Sequence, residues 1–256
     1  MKITILGSGT STGVPQVGCG CEVCTSTDPH DKRLRCSALI ETKGKRILID
    51  CGPDFRQQML SVPFEPLHAI LVTHEHYDHV GGLDDLRPFC AFGEVNVYAE
   101  DFCARHLEER IPYCFTPKEK RYPGVPSINL TRISPHTPFY VDGIEIMPLR
   151  VMHGKLPILG FRIGSMAYIT DMKTIPETEL PLLKGIKLLL VNALRHEPHP
   201  SHQTVEEATA FARLIGAEQT VFIHMSHNVG LHAEEDKGLP EGFRFAYDGM
   251  EIACQE

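Results

Sequence analysis

The sequence has no run of lysine and arginine, no long apolar stretch and no linker, and each gap removes a class of function. Acidic residues number 33 against 25 basic ones, a formal net charge of −8. That argues against an extended nucleic-acid surface, although one or two cations can still hold a single phosphate. No apolar run approaches the ~18 residues of a membrane span. Lys2-Ile3-Thr4-Ile5-Leu6 passes directly into Gly7-Ser8-Gly9 without the features of a secretory leader. The glycine-rich loop 7–15 lacks the GxxxxGK[ST] pattern of a P-loop, and alone it reads more readily as a turn than as an anion cradle. Nine cysteines, an odd number without framework spacing, fit a reducing cytoplasm rather than a disulfide scaffold. With 42% hydrophobic and 23% charged residues and no repeat or low-complexity segment, the expectation is one mixed α/β domain over 1–256.

What is present is histidine in a pattern. Thr73-His74-Glu75-His76-Tyr77-Asp78-His79 follows the apolar run Ala69-Ile70-Leu71-Val72 and precedes Val80-Gly81-Gly82. The β-branched and aliphatic run reads as a buried strand, and a helix is expected over Asp84–Phe92. His-x-His-x-Asp-His therefore sits on the loop leaving the C-terminal end of a strand, where open α/β sheets place their sites. Neutral imidazoles and a carboxylate suit zinc, manganese or iron. The competing reading, a solvated polar loop rich in histidine, explains neither the spacing nor the flanking strand and glycines.

A second cluster is Cys19-Gly20-Cys21-Glu22-Val23-Cys24. Thiol density of this kind in a cytosolic protein argues for a structural zinc, expected in a loop over about residues 18–36. The fourth ligand is not adjacent: His30 and Cys36 are local options and His227 a distant one, with free or redox-active thiols as the alternative.

Elsewhere, strand after strand ends in a ligand type: Asp50, His74, His153, Asp171, Asn192 and His224. Asp50 closes the apolar strand Arg46–Asp50, where a lone carboxylate is costly unless paired; it either orients a metal-binding histidine or caps the turn. Residues 111–127 hold four prolines and read as an irregular excursion. Ser201 is the expected N-cap of a helix running to Ile215. Seven candidates, His74, His76, Asp78, His79, His153, Asp171 and His224, suffice for two metals. Asp171 is the natural bridge, since one carboxylate can offer an oxygen to each ion.

In this order the residues resemble the metallo-β-lactamase-fold hydrolases along essentially the whole chain. The resemblance implies a four-layer αβ/βα sandwich with mixed sheets and a dinuclear site on one edge. It implies His74, His76 and His153 on the first metal, Asp78, His79 and His224 on the second, and Asp171 between them. Within that superfamily the chain is most similar to the phosphodiesterase that opens phosphoribosyl 1,2-cyclic phosphate in phosphonate breakdown. That similarity rests on Cys19, Cys21 and Cys24 with His227 three residues after His224, which implies His227 as the fourth zinc ligand. It also rests on the loop Leu6–Gly13, on Ala246-Tyr247-Asp248-Gly249, and on His202 in a Ser-His-x-Thr context 22 residues before His224. A non-ligand histidine there, in the phosphodiesterase and tRNA-processing branches alike, can stabilise phosphate charge or protonate the leaving alkoxide.

The reading that follows is a metal-dependent phosphodiesterase. Two catalytic divalent metals, zinc or manganese, would supply a bound hydroxide that attacks phosphorus, with His202 and Asp78 as the catalytic residues and one structural zinc elsewhere. The expected substrate is a small phosphodiester, with a cyclic ribose phosphate as one candidate form; no membrane is expected, and homodimer formation is left open. His196 and His199 compete with His202, and Arg195 reads as a solvated loop residue rather than a phosphate contact. A tRNA 3′-processing endoribonuclease is the alternative, against which the net charge counts. Thioester or lactam hydrolysis leaves His202 without a task, and the iron oxidoreductases of this fold usually have Glu where this chain has His76. A zinc-stabilised binding scaffold with a vestigial site is the non-enzymatic alternative.

Overall fold

The computed structural model describes residues 1–255, apart from the side chain of Lys118. Six strands come first: β1 Lys2–Gly7, β2 Ser37–Thr42, β3 Lys45–Ile49, β4 Ala69–Leu71, β5 Val95–Glu100 and β6 Ile128–Ile133. Seven more follow: β7 Phe139–Val141, β8 Ile144–His153, β9 Leu156–Ile163, β10 Met166–Ile169, β11 Leu188–Asn192, β12 Gln219–Ile223 and β13 Phe243–Phe245. The last, β14 Glu251–Ala253, returns to the first sheet. The sheet orders are β14-β1-β2-β3-β4-β5-β6 and β13-β12-β11-β10-β9-β8-β7.

Each sheet has an antiparallel part and a parallel part. In the first, β14, β1, β2 and β3 pair antiparallel, and β3 to β6 run parallel. In the second, β7 to β10 pair antiparallel, and β10 to β13 run parallel. The parallel strands are covered on both faces, which is why Ala69-Ile70-Leu71 and Leu188-Leu189-Leu190-Val191 read as continuous apolar runs rather than alternating ones. Between the sheets, Ile5, Ile40, Ile47 and Leu71 meet Ile146, Phe161, Leu190 and Ile223 in one core. On the outer face of the first sheet, Leu48, Ile70 and Val97 pack under Phe55, Leu86 and Leu107 of the helical layer. The helix Val205–Ile215 covers the second sheet with Val205, Ala208, Phe211 and Ala212. This is the expected αβ/βα sandwich.

Local differences have local causes. The helix expected over Asp84–Phe92 is a 3₁₀ segment, Leu83–Phe92, with Pro88 inside it, where the ring removes an amide donor and prevents α-helical pairing. The helix toward Ile215 starts at Val205, not near Ser201: Thr204 is the N-cap, and its side chain and that of Glu207 form a reciprocal capping box. Residues 201–203 are instead drawn toward the site, Gln203 N donating to Met172 O at 3.0 Å. Residues 111–127 hold only short 3₁₀ turns, and Cys114, buried with Ile111, Tyr113 and Phe115 beside it, packs onto the outer core of the first sheet. Among the described residues no helix is long and apolar enough to cross a membrane.

Candidate metal centre

The ends of β3, β4, β8, β10, β11 and β12 place Asp50, His74, His153, Asp171, Asn192 and His224 at one rim between the sheets. Three of these residues, Asp50 (φ 61°), Asp171 (φ 56°) and His224 (φ 57°), adopt the left-handed backbone region. A non-glycine residue there costs roughly 1 kcal/mol or more, and such conformations cluster at functional sites. The sharp turn redirects each side chain from the strand's alternation into the rim. The His74–His79 loop is equally constrained. Cys51 N donates to His79 O at 2.8 Å, Gly82 N to Cys51 O at 2.9 Å, and a Cβ on Gly52 would stand 2.0 Å from Asp78 O. The short helix Tyr77–Val80 then turns Asp78 and His79 inward.

The candidate ligands gather on two sides of Asp171. On the first, His74 Nε2 lies 3.0 Å from His76 Nδ1, and the His153 ring centroid lies 5.2 Å from that of His76 and 5.8 Å from that of His74. On the second, His79 Nε2 is 3.1 Å from Asp78 Oδ2 and 3.3 Å from Asp171 Oδ2, and His224 Nδ1 is 3.2 Å from the same Asp171 oxygen. Asp171 groups both with Asp78, His79 and His224 and with His153 and His202, so one carboxylate lies within reach of both sides. Each of four rings has its other nitrogen held. His74 Nδ1 meets Thr73 Oγ1 (3.0 Å), His79 Nδ1 meets Asp50 Oδ2 (2.7 Å), His153 Nδ1 meets the carbonyls of Asp171 and Ser201 (2.9 Å each), and His224 Nε2 meets Thr10 Oγ1 (3.2 Å). Asp50 therefore orients His79, one of the two roles left open by the sequence. The contribution of Thr10, far away in the chain, had no signal in the sequence.

The donor set fits divalent cations. The buried atoms His79 Nε2 and His224 Nδ1 make no hydrogen bond, yet both face carboxylate oxygens. Electrostatics agree. Burial, reinforced by the charge of His79, pushes His74 well below the usual histidine range, and burial also lowers His224, which leaves the neutral imidazoles that metals require. Burial alone would strip the proton from His79, but Asp78, Asp171 and Asp50 hold it on well above that range. Against burial, the neighbouring His224 and His79 hold Asp171 well below the carboxylate range, and His79 does the same for Asp78. A pocket that retains a proton on a fully buried imidazole is one in which a cation is favoured.

His202 lies beside this centre. Its Nδ1 is buried, makes no hydrogen bond and stands 3.8 Å from Asp171 Oδ1, and its ring packs 4.6 Å from His153 and 5.1 Å from His224. Burial pushes its pKa down to about 3, so the ring is neutral in the free protein. Of its competitors, His199 packs against it with ring centroids 5.0 Å apart, while His196 points away, bridging Glu206 (2.8 Å) and Glu235 (3.0 Å). Arg195 donates to the carbonyls of Glu197 and Pro198 in its own loop.

The cysteine cluster closes on His227. Its Nδ1 lies 3.2, 3.4 and 3.2 Å from the sulfurs of Cys19, Cys21 and Cys24, a Cys₃His donor set suited to structural zinc. The Cys24 amide pulls the Cys21 thiol down to about 7, whereas burial lifts Cys24 to about 11. Cys36 instead meets Tyr168 Oη in the core at 3.2 Å, and the His30 ring packs against Tyr247 with centroids 4.1 Å apart. All nine cysteines are free thiols.

Residues 45–225 match the family model of the Beta-lactamase superfamily domain. The chain belongs to this superfamily. Among solved structures, a diphosphatase of the PhnP family superposes with a TM-score of 0.91 at 38% identity, covering 99% of this chain and 98% of the other. Identity at that level over both whole chains places the chain in the PhnP family as well. Zinc-bound PqqB from Methylobacterium extorquens superposes with a TM-score of 0.81 at 22% identity over 99% of this chain and all of that one, a likeness of fold. Among curated proteins, an octanoyltransferase of Porphyromonas gingivalis is 51% identical over 258 residues, all of this chain but 52% of that protein. The chain spans about half the length of the curated relatives it matches. The superfamily match and the His/Asp and Cys/His clusters together describe a domain of this superfamily whose side chains could hold metal ions.

Proposed function

We propose that the protein is a metal-dependent phosphodiesterase acting on a small phosphodiester, with cyclic ribose phosphates as the first class to test. The observation that carries this reading is His202, a buried imidazole with a free Nδ1 beside the carboxylate shared by both ligand sets. His74, His76 and His153 would hold one cation, Asp78, His79 and His224 a second, and Asp171 both; Cys19, Cys21, Cys24 and His227 would hold a structural zinc. Paired divalent cations activate water and offset charge developing on phosphoryl oxygens. Because burial keeps His202 neutral, its proton has to arrive with an anionic substrate, whose charge favours the imidazolium. Held on Nδ1, that proton is then available to the leaving alkoxide, a contribution of ~10²–10⁴-fold in rate. Asp78, besides binding, would help hold the His79 ring, whose Nε2 lies 3.1 Å from Asp78 Oδ2.

The diphosphatase relative supports phosphoryl chemistry. Acyl transfer is not carried over from the longer octanoyltransferase relative. Cys36 and Cys51 are buried, with thiols pushed up to about 12 and well above the ordinary range. The remaining thiols near the rim are gathered on His227. The complete ligand sets likewise disfavour a vestigial scaffold.

The test is hydrolysis of bis(p-nitrophenyl) phosphate and of a panel of cyclic ribose phosphates by protein loaded with zinc or manganese. Turnover is expected, with His202→Ala losing ~10²–10⁴-fold at unchanged metal content. No phosphodiester cleavage with either metal refutes the reaction class, and full activity of His202→Ala refutes the role of His202.

A further inference from the structure

We infer that Thr10 is a positioning residue for the second metal, fixing His224 so that its Nδ1 is the nitrogen presented to the cation. The inference rests on the dinuclear reading above. Thr10 and His224 are separated by 214 residues, and both are buried. Thr10 Oγ1 lies 3.2 Å from His224 Nε2, while Nδ1 of the same ring makes no hydrogen bond and lies 3.2 Å from Asp171 Oδ2.

An imidazole that binds a metal through one nitrogen carries its proton on the other, and a partner at that other nitrogen selects the tautomer and the ring orientation. Asp50 supplies such a partner to His79, the other ring of the second set, at 2.7 Å. Thr10 is its counterpart for His224. With Nδ1 reserved for the cation, Nε2–H donates to the Thr10 hydroxyl oxygen.

The backbone shows that this hydroxyl is placed rather than incidental. Thr10 N donates to Met225 O at 3.0 Å, Met225 N donates to Ser8 O at 3.0 Å, and Gly9 pairs with both Arg35 and Met225. A Cβ on Gly9 would stand 2.9 Å from Arg33 O, so the loop lies directly against the backbone of residues 33–35. The N-terminal glycine loop, which has no phosphate-binding pattern, thus gains a function: it carries one hydroxyl to the back of a ligand ring.

The experiment compares wild type, Thr10→Val, which keeps the shape without the hydroxyl, and Thr10→Ser, which restores it. Each is loaded with zinc alone and dialysed against graded chelator, with retained zinc counted per chain and melting followed in parallel. Removing such a partner typically lowers metal affinity 10–100-fold. Thr10→Val is therefore expected to lose one of three zincs at 10–100-fold lower chelator strength, the other two leaving as in wild type, and Thr10→Ser to recover. Equal retention by Thr10→Val, parallel loss of all three zincs, or failure of Thr10→Ser to rescue overturns the inference. Wild-type protein that retains only one zinc refutes the dinuclear reading itself, and this inference with it. A measurement on wild type needs no variant to fold: ¹⁵N-histidine NMR of the zinc-loaded protein should show the His224 proton on Nε2. A proton on Nδ1 overturns the assignment.

Discussion

Replacing Asp50 separates orientation of a ligand from stability of the fold. Asp50 is fully buried and left-handed, φ 61°. Its Oδ1 accepts from Thr73 N at 2.8 Å, its Oδ2 accepts from His79 Nδ1 at 2.7 Å, and Thr73 Oγ1 donates within 2.9–3.0 Å of both. Asp50→Ala leaves three buried donors, Thr73 N, Thr73 Oγ1 and His79 Nδ1, without this acceptor, at about 1–3 kcal/mol each. It also puts a residue less tolerant of φ > 0 at this turn, at about 1–2 kcal/mol. The sum is a loss of roughly 4–11 kcal/mol, enough to unfold many domains. Asp50→Asn keeps the backbone preference and the acceptor for Thr73 N, so its fold should survive with a much smaller loss. Its amide must then point NH₂ at His79 Nδ1, because two facing donors at Thr73 N are excluded. His79 is forced to accept at Nδ1 and to carry its proton on Nε2, the atom facing Asp78 and Asp171. The expected result is a folded protein with zinc affinity at the second site reduced at least 10–100-fold. Denaturant melts give the stability, and chelator competition with zinc counting gives the affinity. Asp50→Asn protein that binds zinc as tightly as wild type refutes the orienting role. Asp50→Ala protein as stable as wild type refutes the packing argument.

Two other perturbations act on the supports of the site. Cys24→Ser, at a buried sulfur of the His227 cluster, should remove one zinc per chain and lower the melting temperature, leaving the other two zincs bound; unchanged zinc content would refute the Cys₃His assignment. Gly52→Ala places a Cβ 2.0 Å from Asp78 O, backbone against backbone, so the His74–His79 loop must shift. A stability loss of about 1–3 kcal/mol, the usual range for overpacking, should accompany weaker second-site metal binding in the same chelator assay. Wild-type behaviour in both measurements would show that the loop yields freely.

The sequence by itself determined the parts of this protein that local chemistry governs. His74, His76, Asp78 and His79 lie within six residues, so their convergence needs only one strand and one turn. Apolar runs ending in Asp50, His153, Asp171 and His224 located the strands and marked their ends, since a run covered on both faces carries no polar residue until it leaves the sheet. Thr204-x-x-Glu207 carries the capping-box spacing in the sequence itself, with Ser201 as a competing cap three residues earlier. Tertiary structure decided what no spacing encodes. Pro88 and the packing of its segment made Leu83–Phe92 a 3₁₀ run. Cys36 and His30 stood nearer the zinc loop in sequence than His227, and only the return of β12 beside that loop brings His227 within 3.4 Å of all three sulfurs. The second supports of the ligand rings, Thr10 behind His224 and the Ser201 carbonyl behind His153, are single polar atoms on remote segments. Hydroxyls and carbonyls occur throughout any chain, so what distinguishes these two is where the fold puts them.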